Sequence, residues 1–147
     1  MERLFRSKSE EQTAELGRRL GKELSSGAFV ALYGDLGSGK TAFARGVGAA
    51  LGIVKMTSPT FTIVREYGVA PRLYHFDAYR LSGEDELYAM GFEDYKDGII
   101  LMEWANLVAG ALPEERLDIC IEGSGDEERR ISAAAHGAGY RQILERL

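Results

Sequence analysis

The stretch YGDLGSGKTAF, residues 33–43, sets three glycines, a lysine and a threonine between an apolar run and a second apolar pattern. Gly34, Gly39, Lys40 and Thr41 fall at the spacing G-x-x-x-x-G-K-[ST], with Asp35, Leu36, Gly37 and Ser38 in the intervening places. Glycines allow successive main-chain N–H groups to turn inward, and the N-terminus of a following helix adds its positive end, so phosphate oxygens find donors without water. Lys40 would add a full charge at the β and γ phosphates, and the Thr41 hydroxyl would coordinate the Mg²⁺ that bridges them. Gly37, Ser38, Gly39, Lys40, Thr41 and Ala42 are accordingly the expected nucleotide contacts.

The flanks decide whether this is a phosphate loop or a plain glycine-rich turn. Before it, AFVALYG is a short continuous apolar run of the kind shown by a strand buried on both faces. After it, Phe43, Val47 and Leu51 recur every four residues, and Gly52 sits where a helix would end. Gly46 and Gly48 inside that helix each cost about 1 kcal/mol against alanine, which close packing against a sheet would justify. Upstream, Ser9 and Gln12 form a capping-box pattern ahead of Leu16, Leu20 and Leu24, predicting a helix over 9–25.

Downstream, TFTIVREY and RLYHFDAY read as a strand pair joined by GVAP. Ser82 is placed to cap a short helix running to Met90. GIILMEW, the most apolar run, reads as a central strand, and RLDICIE and RRISAAA as two weaker ones before a short helix after Gly139. The acidic runs GEDEL and FEDYKDG mark a helix start and a solvated loop. The whole chain, 1–147, is expected to be a single α/β domain with a three-layer P-loop NTPase fold and a mostly parallel central sheet.

Bulk composition agrees with one soluble domain. At 147 residues, with 45% apolar and 28% charged residues, the chain can bury a core without help from disulfides or repeats. Its net charge of −5 argues against a protein that holds nucleic acid through a broad basic surface. Cys120 is the single cysteine, which excludes an internal disulfide; the alternation in LDICIE makes it a small buried strand residue without chemistry. The N-terminal residues show neither a signal peptide nor a spanning helix, so a cytoplasmic location and no membrane partner are expected.

Phosphoryl chemistry at such a loop needs carboxylates to hold the metal and orient a nucleophile. Asp77 closes the RLYHFD strand and Glu103 closes GIILME, and ligands of open α/β sheets bind beyond the carboxyl ends of strands. Both are candidates beside Lys40 for catalysis and beside Thr41 for the metal; spacing leaves open which acid touches the ion directly. His75 shares a face with Asp77 and is expected to hydrogen-bond that carboxylate structurally, outside the metal site. In TSPTF, Pro59 stiffens a turn that would present the Ser58 and Thr60 hydroxyls toward a γ-phosphate as a switch.

The ordered set GDLGSGKT, SPTF, YHFDAYRL and MEWANLVAGALP resembles the TsaE family, the bacterial ATPase component of tRNA threonylcarbamoyladenosine synthesis. The resemblance runs from the capped first helix to Pro113 and more weakly beyond. It implies ATP rather than GTP, with Thr41 and Glu103 near Mg²⁺, Asp77 as the acid of the metal-binding strand and SPTF as a switch. It also implies Glu10 and Arg129 near the base and a role for Trp104 beside Glu103. Family partners are a threonylcarbamoyl-transferase complex of TsaB and TsaD type subunits, acting at N6 of adenosine 37, with tRNA reached only indirectly. Ala105 and Asn106 replace a proline and an acid frequent in the family. No N-K-x-D guanine-reading segment occurs in the chain. A small-metabolite kinase and a nucleotide-gated binding module without turnover are the alternative readings.

Overall fold

The computed structural model describes residues 1–35, 37–59, 62–123 and 126–147. Its strands are β1 (Glu2–Ser7), β2 (Phe29–Tyr33), β3 (Val64–Tyr67), β4 (Leu73–Asp77), β5 (Ile99–Glu103), β6 (Arg116–Gly123) and β7 (Arg129–His136). The helices are α1 (Glu10–Gly21), α2 (Lys40–Ala50), α3 (Glu84–Ala89) and α4 (Ala138–Arg146), with 3₁₀ segments at Phe92–Tyr95 and Ala105–Ala111. All seven strands join one sheet in the order β1-β7-β6-β2-β5-β4-β3.

The sheet is parallel at its centre, where β2 lies between β5 and β6 and β4 lies beyond β5. Its outer pairs β1–β7, β6–β7 and β3–β4 are antiparallel. The central strands read as continuous apolar runs because helices cover both faces. Val30, Leu32, Leu73, Ile99 and Leu101 pack with Leu16, Leu20, Phe43, Val47 and Leu144 on the side of α1, α2 and α4. Phe29, Ala31, Phe76, Ile100 and Met102 pack with Leu87, Phe92 and Val108 on the other. Phe92 meets Phe76 and Phe29 edge-on, at centroid distances of 5.6 and 6.4 Å.

Several local readings are corrected. The first helix ends at Gly21, not residue 25, and ERLFRS before it is a strand. The residue types of that edge strand do not alternate, although its burial does once it is paired, so pairing with β7 decides its conformation. Gly46 and Gly48 do face close neighbours, but these are α1 and Met56 rather than the sheet. A Cβ on Gly46 would collide with the Ala14 carbonyl, and one on Gly48 with Met56 Sδ. Gly83, not Ser82, is the N-cap of α3; Ser82 binds Glu86 Oε2 through both its amide and its hydroxyl, at 2.9 and 2.7 Å. The final helix begins at Ala138, before Gly139. Within FEDYKDG, Phe92 is core rather than loop. Cys120 is only half-buried, because it lies on the β6 face opposite Ile119 and Ile121. Among the described residues no helix is long and apolar enough to cross a membrane.

Candidate functional site

Strand order places the site. The chain leaves the carboxyl end of β2 at the point where its neighbours β5 and β6 lie to either side, the kind of crevice in which open α/β sheets bind ligands. Gly34 and Asp35 leave β2 there, and residues 37–39 lead into α2. Gly37 and Gly39 hold φ of 77° and 107°, a region that costs a side-chain-bearing residue about 1–2 kcal/mol. Gly39 caps α2 without a side-chain hydrogen bond, and the first turn of α2 carries no acid, so the helix's positive end is not neutralised from within.

A cavity of about 360 Å³ opens at this helix end, within the size range of small-molecule sites. Gly37, Gly39, Lys40, Thr41, Ala42, Asp77, Glu103, Glu10 and Arg129 all line it, together with Trp104, Thr13 and Glu127. Five elements (α1, α2, β4, β5 and β7) and the loop thus converge. Ser38 stands apart: it lines an adjoining groove with Tyr33 and Cys120, and its amide is committed to the Asp35 carbonyl at 3.1 Å. Ser58 lies behind Thr41, lining a much smaller chamber with His75 and Glu103. Thr60 lies outside the described residues.

Lys40 is the electrostatic centre. Its side chain is buried, and its Nζ has no hydrogen-bond partner among the described residues. Glu103 Oε1 lies 4.0 Å away, and the Trp104 ring centroid 4.1 Å. Burial pushes the ammonium below the usual lysine range, against the opposing pull of Glu103, Asp77 and Asp35. An amine in that state gains from any anion entering the cavity.

The acids arrive from adjacent parallel strands whose register pairs Asp77 with Glu103. Both are buried. Asp77 Oδ1 accepts from the Tyr79 amide at 2.9 Å, which fixes its carboxylate at the strand end. The ring of His75, expected to serve Asp77, instead meets Glu103: Nε2 lies 2.7 Å from Oε2. Alternation placed the two side chains of β4 on one face correctly, but the neighbouring strand offers a nearer oxygen. Among the described residues no group of three or more His, Cys, Asp or Glu is arranged to hold a metal ion alone. Mg²⁺ needs no such group, since one or two carboxylates plus substrate phosphates suffice.

Arg129 reaches back across the loop, its guanidinium donating to the Gly37 carbonyl at 3.2 Å and to Glu128 at 2.7 Å. Thr13 was not singled out by the sequence; it is buried on α1, with its hydroxyl 2.7 Å from that of Ser7. Only the inward face of the Ser9-capped helix could have pointed to it.

A strand, glycine loop and helix at the switch point of a parallel sheet, with acids closing the neighbouring strands, define a P-loop α/β protein of the NTPase fold class. The profile of the family described as "Threonylcarbamoyl adenosine biosynthesis protein TsaE" matches residues 7–131, and the chain belongs to that family. The TsaE protein of Bacillus subtilis is 42% identical over 148 aligned residues, which cover 97% of this chain and 92% of that one. The Treponema pallidum TsaE protein is 37% identical, covering 87% and 97%. The crystal structure of Bacillus subtilis YdiB superposes with a TM-score of 0.85 at 35% identity, over 99% of this chain and 93% of that one. The family works in the biosynthesis of threonylcarbamoyladenosine in tRNA.

Proposed function

We propose that the protein binds ATP with Mg²⁺ in the cavity at the head of α2 and hydrolyses it slowly, faster when docked on a threonylcarbamoyl-transferase complex. Turnover resets that complex, built of TsaB and TsaD type subunits, between rounds of modification at adenosine 37; tRNA is met only through the partner. The observation that carries this reading is the buried Lys40 ammonium with no hydrogen-bond partner among the described residues.

The residues fit the nucleotide and its metal. Gly37 and Gly39 leave room for phosphate against the main chain, and the exposed Thr41 hydroxyl stands on the first turn of α2. Asp77 and Glu103 supply the carboxylates, directly or through water, and the bound Mg²⁺ would neutralise charge on the β and γ phosphates. Lys40 holds the phosphate tail and stabilises the charge that builds as the terminal phosphoryl leaves. Glu10 and Arg129 also border the cavity and are the proposed neighbours of the base. Ser58 and Thr60 are the proposed switch hydroxyls. A lone P-loop domain commonly lacks the arginine that stabilises the transition state, which accounts for slow turnover without a partner.

The test is multi-cycle tRNA modification by the transferase proteins with ATP, comparing wild type with Lys40→Ala while phosphate release is followed. The reading requires modification beyond one cycle, with phosphate release, from the wild type only. Equal multi-cycle modification by Lys40→Ala would refute it. ATP-dependent partner binding without phosphate release would favour a non-hydrolytic gate, and labelled γ-phosphate on a small acceptor a kinase.

A further inference from the structure

Every residue of β4 is buried, and at its centre stands His75, 4% exposed. Packing alone does not ask for a histidine there. Its Nδ1 has no hydrogen-bond partner among the described residues, and an unmet buried ring nitrogen carries a desolvation penalty that an apolar side chain would avoid. The ring's other nitrogen supplies the reason. Nε2 lies 2.7 Å from Glu103 Oε2, and Glu103 Oε1 lies on the Lys40 side, 4.0 Å from Nζ. The register sets this contact: His75 pairs with Leu101, so its ring rises from one step below Glu103 on the same face. There it lines a chamber of about 20 Å³ with Thr41, Ser58 and Glu103.

We propose that His75 is a positioning residue for the divalent cation: its Nε2–H donates to Glu103 Oε2, fixing the carboxylate so that Oε1 is the oxygen turned to the metal beside Thr41. A carboxylate with no such bond rotates among orientations, and each metal-bound state then loses the entropy of choosing one. Groups that hold a ligand from behind typically change metal affinity 10–100-fold when removed. The proposal rests on the reading that Mg²⁺–ATP occupies the cavity.

The experiment is calorimetric titration of the full-length protein with ATP across a series of Mg²⁺ concentrations and in EDTA, for wild type, His75→Phe and His75→Gln. His75→Phe should need about tenfold more Mg²⁺ for half-maximal tightening, with its EDTA affinity within about twofold of wild type. His75→Gln, whose amide can still donate, should recover most of the difference. A folded His75→Phe protein with the wild-type Mg²⁺ midpoint would overturn the proposal, as would equal loss with and without Mg²⁺, which marks a general structural role. Should His75→Phe fail to fold, His75→Leu, smaller and equally without a donor, carries the midpoint comparison. Long-range ¹H–¹⁵N spectra of the wild type then read the tautomer, and an unprotonated His75 Nε2 overturns it. Wild-type protein that takes up no ATP, or takes it up without regard to Mg²⁺, sinks the proposed function itself and this inference with it.

Discussion

The Trp104 indole lies over the Lys40 ammonium, 4.1 Å from ring centroid to Nζ, so the cation that should grip phosphate rests on an aromatic face. Such contacts are worth about 0.5–2 kcal/mol. Trp104 holds that place with a left-handed φ of 58°, immediately after β5, and with the Tyr79 ring tilted against it at 5.0 Å. A residue other than glycine keeps such a backbone at a cost of about 1–2 kcal/mol, and functional sites are where that cost is commonly tolerated.

Because the chain has one tryptophan, its indole emission comes from Trp104 alone, beside Lys40 and Tyr79. An anion drawing Lys40 away, or simply joining it, changes the field at the indole. Mg²⁺–ATP should therefore alter the emission saturably, and Lys40→Ala should abolish the response. Emission indifferent to millimolar ATP in the wild type would count against a phosphate tail at Lys40.

The same lysine predicts a trade between stability and binding. Its ammonium is held below its ordinary range mainly by burial, so the unfolded chain binds its proton more readily than the folded one. Stability therefore rises with pH between the folded and unfolded lysine values, and the penalty is fully present below the folded value. Lys40→Met should stabilise the nucleotide-free protein at pH 7 by about 0.5–2 kcal/mol while removing ATP binding. The advantage should shrink as pH climbs toward the free-lysine range, since the wild type no longer buries a charge there. Chemical denaturation at neutral and alkaline pH measures both; a variant less stable at pH 7 would show that Glu103 outweighs burial.

Helix contact makes a second stability prediction. Gly17 and Gly46 let α1 and α2 cross with their backbones touching: a Cβ at either position would run into a carbonyl of the opposite helix, Phe43 or Ala14. Gly46→Ala gains about 1 kcal/mol of helix propensity. Against that stands a collision with backbone, which cannot rotate aside, so a net loss of roughly 1–3 kcal/mol is expected. Melting should fall by several degrees, and ATP affinity with it, because α1 carries Glu10 and Thr13 to the cavity wall. Gly139→Ala is the control: it lies in α4 with nothing within 4 Å of an added Cβ, and should be neutral or mildly stabilising.

What the sequence disclosed follows from how local each signal is. The loop, β2, α2 and β5 were readable because spacing, glycine chemistry and apolar periodicity all act within a few residues. Asp77 and Glu103 were readable as strand-ending acids, since an apolar run that stops at a carboxylate needs no partner to be recognised. β1 was not, because ERLFRS becomes a strand only by lying along β7 from the other end of the chain. The bond from His75 to Glu103 was missed for a related reason. It depends on the register of β4 against β5, which no spacing within either strand contains. The helix crossing at Gly46 likewise became a contact with α1 only once both helices were placed on the same face.

Asp77 offers the sharpest separation of architecture from chemistry. Its Oδ1 accepts from the Tyr79 amide at 2.9 Å, and Asp77 also supports the charge on Lys40. Asp77→Asn keeps an oxygen for the amide and the side-chain volume while deleting the charge. It should fold like the wild type and still bind ATP, yet lose hydrolysis by about 10²-fold or more, the usual scale for removing one well-placed electrostatic group. Asp77→Ala deletes the acceptor as well, leaving a backbone N–H unmet at a cost of about 1–3 kcal/mol. Its melting temperature should therefore drop by several degrees while its hydrolysis is no worse than that of Asp77→Asn. If the two variants melted alike, the Tyr79 bond would carry no weight in the fold; if Asp77→Asn hydrolysed ATP at the wild-type rate with partner present, the carboxylate would have no part in the chemistry, and Glu103 would be left as the acid that serves it.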